Sequence, residues 1–524
     1  MRNTYALTAA IALALAAADS HAGSSTGPSS SQTPFIVPTA PGWDVTSLLT
    51  VGDSAKDAPY VMVGIPDGLG ATAGKIAQNG RYVADDAYLT VFMNHEVRPG
   101  FGVPRAHGQD GAFVSRWTVH LNSLQVKSGE DLTKRVVTWS NGAWADTTGS
   151  IGFNRFCSAD LPARTAFFNP RTGKGFAGRI FMNGEEAGNE GRAFGHVASG
   201  DELGTAYELP YLGKFSWENS VAHPNAGDKT IVVGLDDSTP GQVYVYVGEK
   251  SMTGNPVERA GLQGGKLYGI KVTNGGANYA GGSVTLESAG SIQGEFALQD
   301  VSPFAVGTGA ALQSASVIGG VTEFARPEDG AWDTRNPRAF YYVTTGATLG
   351  GAVQTARLYK LTFDSVANPT GGRIELVLDS ASLVGTDGST ARSFDNITVD
   401  GDGNVIVQED PGNAPYVAKT WKVNPATRQA VQIFESDRER FVSGSAGFLT
   451  QDEENSGVIE VTDIVKRANW YREDRRYYLG VMQAHYPIAG ELVEGGQLYL
   501  MASPRIEDDH GEDDDDDDHR GRKH

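Results

Sequence analysis

The chain has 524 residues, of which 40% are hydrophobic and 20% charged, with 66 Gly, 23 Pro and a formal net charge of -20. This is a globular, turn-rich balance, long enough for two to four ordinary domains or one large radial array with insertions. The negative charge excludes a nucleic-acid backbone as partner, because such binding needs Lys and Arg to displace counterions.

Arg2, the apolar run Ala6 to Ala17 and the small-x-Ala signal Ser20-His21-Ala22 make residues 1–22 a secretory signal peptide. No twin-arginine pair is present, and no later stretch reaches the ~20 apolar residues of a membrane span. The expected product is exported by a Sec-type route to the periplasm or beyond. Residues 23–45, rich in Ser, Gly, Thr and Pro as far as Pro38, read as a flexible leader. Residues 504–524, with six consecutive aspartates, read as a disordered acidic tail.

Between them, residues 46–503 read as one domain, because turns and strands alternate without a linker-like break. Tyr88 to Met93, Ser115 to His120, Arg135 to Ser140, Gln242 to Val247, Lys266 to Val272 and Arg357 to Phe363 carry strand-forming residues between Gly, Asn and Asp turns. Helical periodicity is confined to Ala71 to Gln78 and to Asp463 to Asn469. The Gly- and Ala-rich stretch from Asn274 to Gly320 reads as an insertion or an outer-blade excursion. Asp400-Gly401-Asp402-Gly403-Asn404 is a hairpin turn rather than an EF-hand, whose twelfth position would be Pro411.

One design recurs along this domain: an acid beside a turn, then an apolar strand that ends in polar groups. Glu218 precedes the strand ending at Asp236-Asp237, Glu328-Asp329 precedes the strand Ala339 to Thr345, and Asp395 precedes the strand ending at Glu409-Asp410. Ile180-Phe181-Met182 runs into Glu185-Glu186 in the same way. A repeat of this spacing points to a propeller or related radial array. Two carboxylates 4 Å apart repel by roughly 4 kcal/mol at a dielectric near 20, so a shared hub of them calls for cations. Oxygen ligands suit Ca²⁺, and in each acidic pair only one member faces the axis, since neighbours on a strand point to opposite faces. Any one of these acids taken alone is ordinarily a solvated loop carboxylate.

Arg326 can fork onto a phosphate or simply neutralise Glu328. Asn94-His95-Glu96 ends another strand in potential ligands. The single cysteine, Cys157, reads as a small buried hydrophobe rather than a nucleophile. G-x-S-x-G, H-E-x-x-H and P-loop motifs are absent.

In this order, Asn94-His95-Glu96, Glu185-Glu186, Phe215-Ser216-Trp217-Glu218 with Val221-Ala222, Leu235-Asp236-Asp237 with Tyr244, Arg326-Pro327-Glu328, and Asp395-Asn396-Ile397 leading to Glu409-Asp410 resemble the PhoX alkaline phosphatases. These are secreted bacterial phosphomonoesterases built on a β-propeller and dependent on calcium with iron. The resemblance, over roughly residues 60 to 490, implies an all-β, six-bladed propeller with loop and short-helix insertions. It implies iron-binding carboxylates at Glu218 and Glu328, a phosphate-binding catalytic arginine at Arg326, and a metal cluster drawing on Glu185, Glu186, Glu409 and Asp410, with Asn94 and Glu96 as further ligands. The implied partner is a small phosphomonoester, attacked with cations polarising the phosphoryl oxygens; the oligomeric state is left open.

Two features depart from the family. Gly184 stands where an iron-ligating cysteine precedes the acidic pair, and the twin-arginine signal is missing. Both favour calcium over iron as the expected metal. The alternative function is then a non-catalytic, calcium-stabilised propeller for binding or surface display.

Overall fold

The computed structural model describes residues 23–505 except for Gln78, 275–283 and 289–291. The proposed signal peptide and nearly all of the acidic tail lie outside the described residues. The fold is an all-β propeller whose strands group into six blades, each entered from its innermost segment.

The innermost segments are Pro66–Ala73, the irregular stretch 156–160, Trp217–Ala222, Pro327–Trp332, Phe394–Val399 and Glu453–Glu460. In chain order these open blades one to six. In the second blade, residues 156–160 form isolated antiparallel bridges with Arg179–Gly184, through the pairs Phe156 with Glu185 and Asp160 with Met182. Blades three and four share a continuous sheet, joined by antiparallel pairing of Gly294–Asp300 with Gly371–Asp379.

The strands read as near-continuous apolar runs because the blades pack face against face and bury both sides. Val232, Val233, Val243, Val245, Tyr244 and Tyr246 of the third blade are all at most 1% exposed. Trp217 stacks on Phe215, with ring centroids 3.9 Å apart, and Phe215 stacks in turn on Tyr244 at 4.7 Å. Truncating such a ring would cost about 3–5 kcal/mol.

The N-terminal residues close the ring. Residues 23–45 are not a free leader: Ser24–Thr26 pairs with Asp44–Thr50, which pairs with Val493–Ala502 on the sixth blade. Ile36–Pro38 adds the outer strand of the fifth blade, with Phe35 and Ile36 fully buried. Polar composition hid this role because three-residue strands need backbone pairing more than apolar side chains.

The expected helix at Ala71 to Gln78 is instead the end of the strand Pro66–Ala73 and the short strand Lys75–Ile76, pairing with Tyr88–His95 and with Tyr82–Val83. Tertiary pairing overrides the weak helical pattern there. Thr462–Val465 forms a single helical turn that overlaps only the start of the second predicted helix, Asp463 to Asn469. The stretch after Asn274 carries the longest described helix, Gly309–Gly319, outside the blades. Asp400 does shape a hairpin turn, accepting from the backbone amides of Asp402 and Asn404 at 2.9 Å.

Candidate metal centre

A single register rule recurs in every blade. Pro66 faces His95, Phe156 faces Glu185, Trp217 faces Asp236, Pro327 faces Thr344, Phe394 faces Glu409, and Glu453 faces Ala484. The next residues along the inner segments are Asp67, Cys157, Glu218, Glu328, Asp395 and Glu454. The next residues along their partners are Glu96, Glu186, Asp237, Thr345, Asp410 and His485. The register shifts at or soon after these positions in the five inner strands, and such a bulge re-aims side chains. A residue at positive φ stands just before the pair in four blades: Ile65 (51°), Arg155 (45°), Arg326 (62°) and Ser393 (48°). Non-glycine residues in that region are uncommon and gather at functional sites.

The result is a connected cluster at one end of the axis. Ligand atoms of Asp67, Glu96 and Cys157 lie within 4.8 Å of one another, as do those of Cys157, Glu186 and Glu218, of Glu218, Asp237 and Glu328, and of Asp395, Asp410 and Glu454. Cys157 and Glu218 link the first three sets. Gln483 ties in the sixth blade by donating to Asp67 and Glu96, each at 2.9 Å. The Cys157 thiol donates to Glu186 at 3.2 Å. Its strand position is set by its carbonyl, which accepts from Asn94 at 2.6 Å and from the Gly68 amide at 3.2 Å. Beneath the cluster, Ser158 Oγ lies 2.6 Å from Glu218 and 2.9 Å from Asn396 of the opposite blade, and so floors the site.

Three cations meet this charge. Arg326 forks onto Asp237 at 2.6 and 2.8 Å and reaches Glu328 at 3.2 Å. Arg155 grips Glu96 at 2.6 Å and pairs with Glu186. His485 bonds Glu494 at 2.6 Å and faces Glu454 at 3.9 Å. The carboxylates outnumber them. Burial, then Glu328, pushes Glu218 well above the carboxylate range; burial, then Asp237, does the same to Glu328. Burial followed by Glu96 raises Glu186 to about 8, and burial followed by Glu454 raises Asp410 to about 8. Burial, then Glu218, also raises the Cys157 thiol. Burial disfavours charge on His485, but Glu454 and Glu494 outweigh it and lift the imidazole to about 11. Protein alone leaves these acids short of counter-charge, which is what a set of hard-cation ligands looks like before the ion is added.

A profile of one family, described as alkaline phosphatase PhoX, matches residues 169–458, more than half of the chain. The chain belongs to the PhoX family. Among solved structures, Pseudomonas fluorescens PhoX in complex with vanadate, a transition state analogue, matches this PhoX-family chain at 12% identity with a TM-score of 0.55, covering 90% of this chain and 97% of that one. At that identity the likeness shows the propeller fold. A GH93 α-L-arabinofuranosidase of Fusarium graminearum with arabinobiose follows at 10% identity, covering 83% and 97%, with a TM-score of only 0.34. No curated sequence matches.

Within this PhoX-family fold, the ligand candidates read from sequence divide cleanly. Glu96, Glu186, Glu218, Glu328 and Asp410 enter the cluster, and Arg326 lies against it. Glu185 does not: its carboxylate is held by Arg192 through two contacts of 2.7 Å. Glu409 does not either, accepting instead from Tyr416, Lys419, Trp421 and Arg392. Both sit at the register position that alternates away from the hub. Asn94 is buried and spends its amide on Cys157 and Asn183, so it positions the thiol rather than joining the acids.

Gly184 supplies no ligand, as its sequence position implies. A Cβ on Gly184 would lie 2.3 Å from Trp217 Cβ, so no side chain fits there. The thiol comes from Cys157 instead, buried as expected but inside the cluster. Asp67, Glu454, Arg155 and His485 were missed altogether. Glu453-Glu454-Asn455 repeats the pattern of Trp217-Glu218-Asn219 and Phe394-Asp395-Asn396, a signal that could have found Glu454.

Proposed function

We propose that the chain is an exported, metal-dependent phosphomonoesterase. The observation that carries this reading is the buried carboxylate and thiol cluster with the Arg326 fork at its edge, in a PhoX-family propeller. The residues present fit metal ions in two chemical settings. Asp395, Asp410 and Glu454 offer oxygen alone, which suits calcium. Cys157 with Glu186 and Glu218 adds a soft thiolate, which suits iron better than calcium. When bound, such cations polarise the phosphoryl oxygens and offset the charge that builds on them.

The chain's own side chains do the rest. Arg326 presents a planar fork, partly solvent-accessible, where it can exchange Asp237 for two phosphate oxygens. Arg155 and His485 line a pocket of about 440 Å³ above the cluster, with Glu96, Asp410 and Glu454. Ile65, Phe101 and Val493 give that pocket apolar walls for the leaving group. His485, whose protonated form Glu454 and Glu494 favour, lines the same pocket and can donate to a bound phosphomonoester.

Export is supported by the residue pattern of 1–22, and no described helix is long and apolar enough to cross a membrane. The test is hydrolysis of p-nitrophenyl phosphate before and after chelation, with calcium and iron restored singly and together. Turnover that survives full chelation, or that is unchanged in Arg326→Ala, would overturn the reading.

A further inference from the structure

On the opposite face of the propeller lies a second concavity that the metal cluster does not explain. It has a volume of about 410 Å³ and opens between the first and second blades. Thr72, on its wall, is five residues beyond Asp67 on the inner strand. Arg179 is seven residues before Glu186. At ~3.3 Å per strand residue this places the pocket roughly 20 Å from the carboxylates.

Four arginines line it, Arg81, Arg164, Arg179 and Arg259, against one acid, Asp201. In a chain of net charge -20 such a concentration of cations is against the general trend. Their charges are only weakly compensated, by Asp201 beside Arg259 and by Asp160 near Arg179. Among the described residues, neither Arg81 nor Arg164 has a salt bridge; Arg164 spends its Nε on the Ala177 carbonyl at 2.5 Å. Arg179 binds only neutral oxygens: Leu161 at 3.1 Å, Pro162 at 2.9 Å and Thr72 at 3.3 Å. Arg259 reaches Asp201 only at 4.0 Å, and that carboxylate is 87% exposed, so it neutralises little. The Nε atoms of Arg179 and Arg259 are buried without any partner. An unmet buried donor is costly, and a structure that keeps two of them beside a cavity leaves room for an acceptor.

The pocket also has flat apolar surface. Arg259 lies over the Phe176 ring at 5.0 Å, and Tyr82 is 47% exposed on the rim. Guanidinium groups beside aromatic faces match a tetrahedral oxyanion attached to a planar body. We propose that this pocket is a second ligand site, distinct from the metal cluster, which binds a phosphate-bearing small molecule through Arg81, Arg164, Arg179 and Arg259. The shared chemistry is the phosphate group, free or carried by a nucleoside.

The test titrates the full chain calorimetrically with inorganic phosphate and with the non-hydrolysable phosphonate analogue of adenosine monophosphate. Arg326→Ala removes the arginine at the metal cluster and is the background. Phosphate should still bind that variant, and adding Arg81→Glu with Arg164→Glu should weaken it at least tenfold. Both positions are exposed, and an unchanged melting temperature checks the fold. A tenfold preference for the phosphonate would assign a nucleotide-like ligand; equal affinities would assign free phosphate. As a second measurement, phosphate should protect Arg81 and Arg164 of the unaltered chain from phenylglyoxal. Phosphate binding that disappears with Arg326→Ala alone, that ignores the two charge reversals, or that gives no such protection would overturn the proposal.

Discussion

Arg155 in the second blade and Arg326 in the fourth are structural equivalents. Each stands at positive φ just before its inner segment, at 45° and 62°, and each reaches back to an acid ending the second strand of the preceding blade. For Arg155 that acid is Glu96, and for Arg326 it is Asp237. The propeller thus places two guanidinium groups over one cluster by repeating one local geometry.

Arg326→Ala should lower kcat/KM for p-nitrophenyl phosphate by about 10²–10³, the size of effect seen when one charge-stabilising donor is lost. Arg326→Lys should not restore it, because a point charge lacks the fork. Steady-state kinetics decide this, and rescue by lysine would refute the bidentate role.

Cys157→Ser should lower bound iron while leaving calcium in place. The hydroxyl keeps the size but loses the soft thiolate, and calcium prefers oxygen in any case. Elemental analysis of purified protein gives both contents. Equal loss of both metals would show that Cys157 supports the whole cluster rather than one ion.

Two adjacent glutamates should behave differently. Glu185→Gln breaks the buried pair with Arg192 and should cost about 3–5 kcal/mol of stability without changing metal content. Glu186→Gln should do the reverse, lowering metal content while leaving the fold intact. Urea melts beside metal analysis separate them; a swap of the two outcomes would place the hub at the wrong residue of the pair.

The chelated protein should lose stability as pH rises. Glu186 and Asp410, raised to about 8 from 4.5 and 3.8, hold protons in the folded state that the unfolded chain has released. Folded chains therefore bind more protons between these limits, and stability falls with pH through about 8. The melting temperature should drop from pH 5 to pH 9, and calcium at pH 8 should restore it. A flat or rising profile without metal would contradict the electrostatic account.

Gly184→Cys should destabilise the fold and add no metal ligand, because the new Cβ would overlap Trp217. A lowered melting temperature with unchanged metal content is the expected result; an added iron would refute it.

Sequence alone determined the strands, the radial repeat and most of the acids, because side-chain alternation and turn chemistry are local properties. It showed that one member of each acidic pair would face inward, but not which one. Glu186, Asp237 and Asp410 were selected by register across the strand pair, a relation between residues far apart in the chain. Cys157, Asp67 and His485 were equally out of reach, since nothing near them in sequence announces a ligand, whereas Glu454 carried the same acid-Asn pattern as Glu218 and Asp395. Only packing of the blades around one axis decided that a thiol from residues 156–160 would meet carboxylates from four other segments, Asp67, Glu96, Glu186 and Glu218, because charge repulsion and burial act through space and not along the chain.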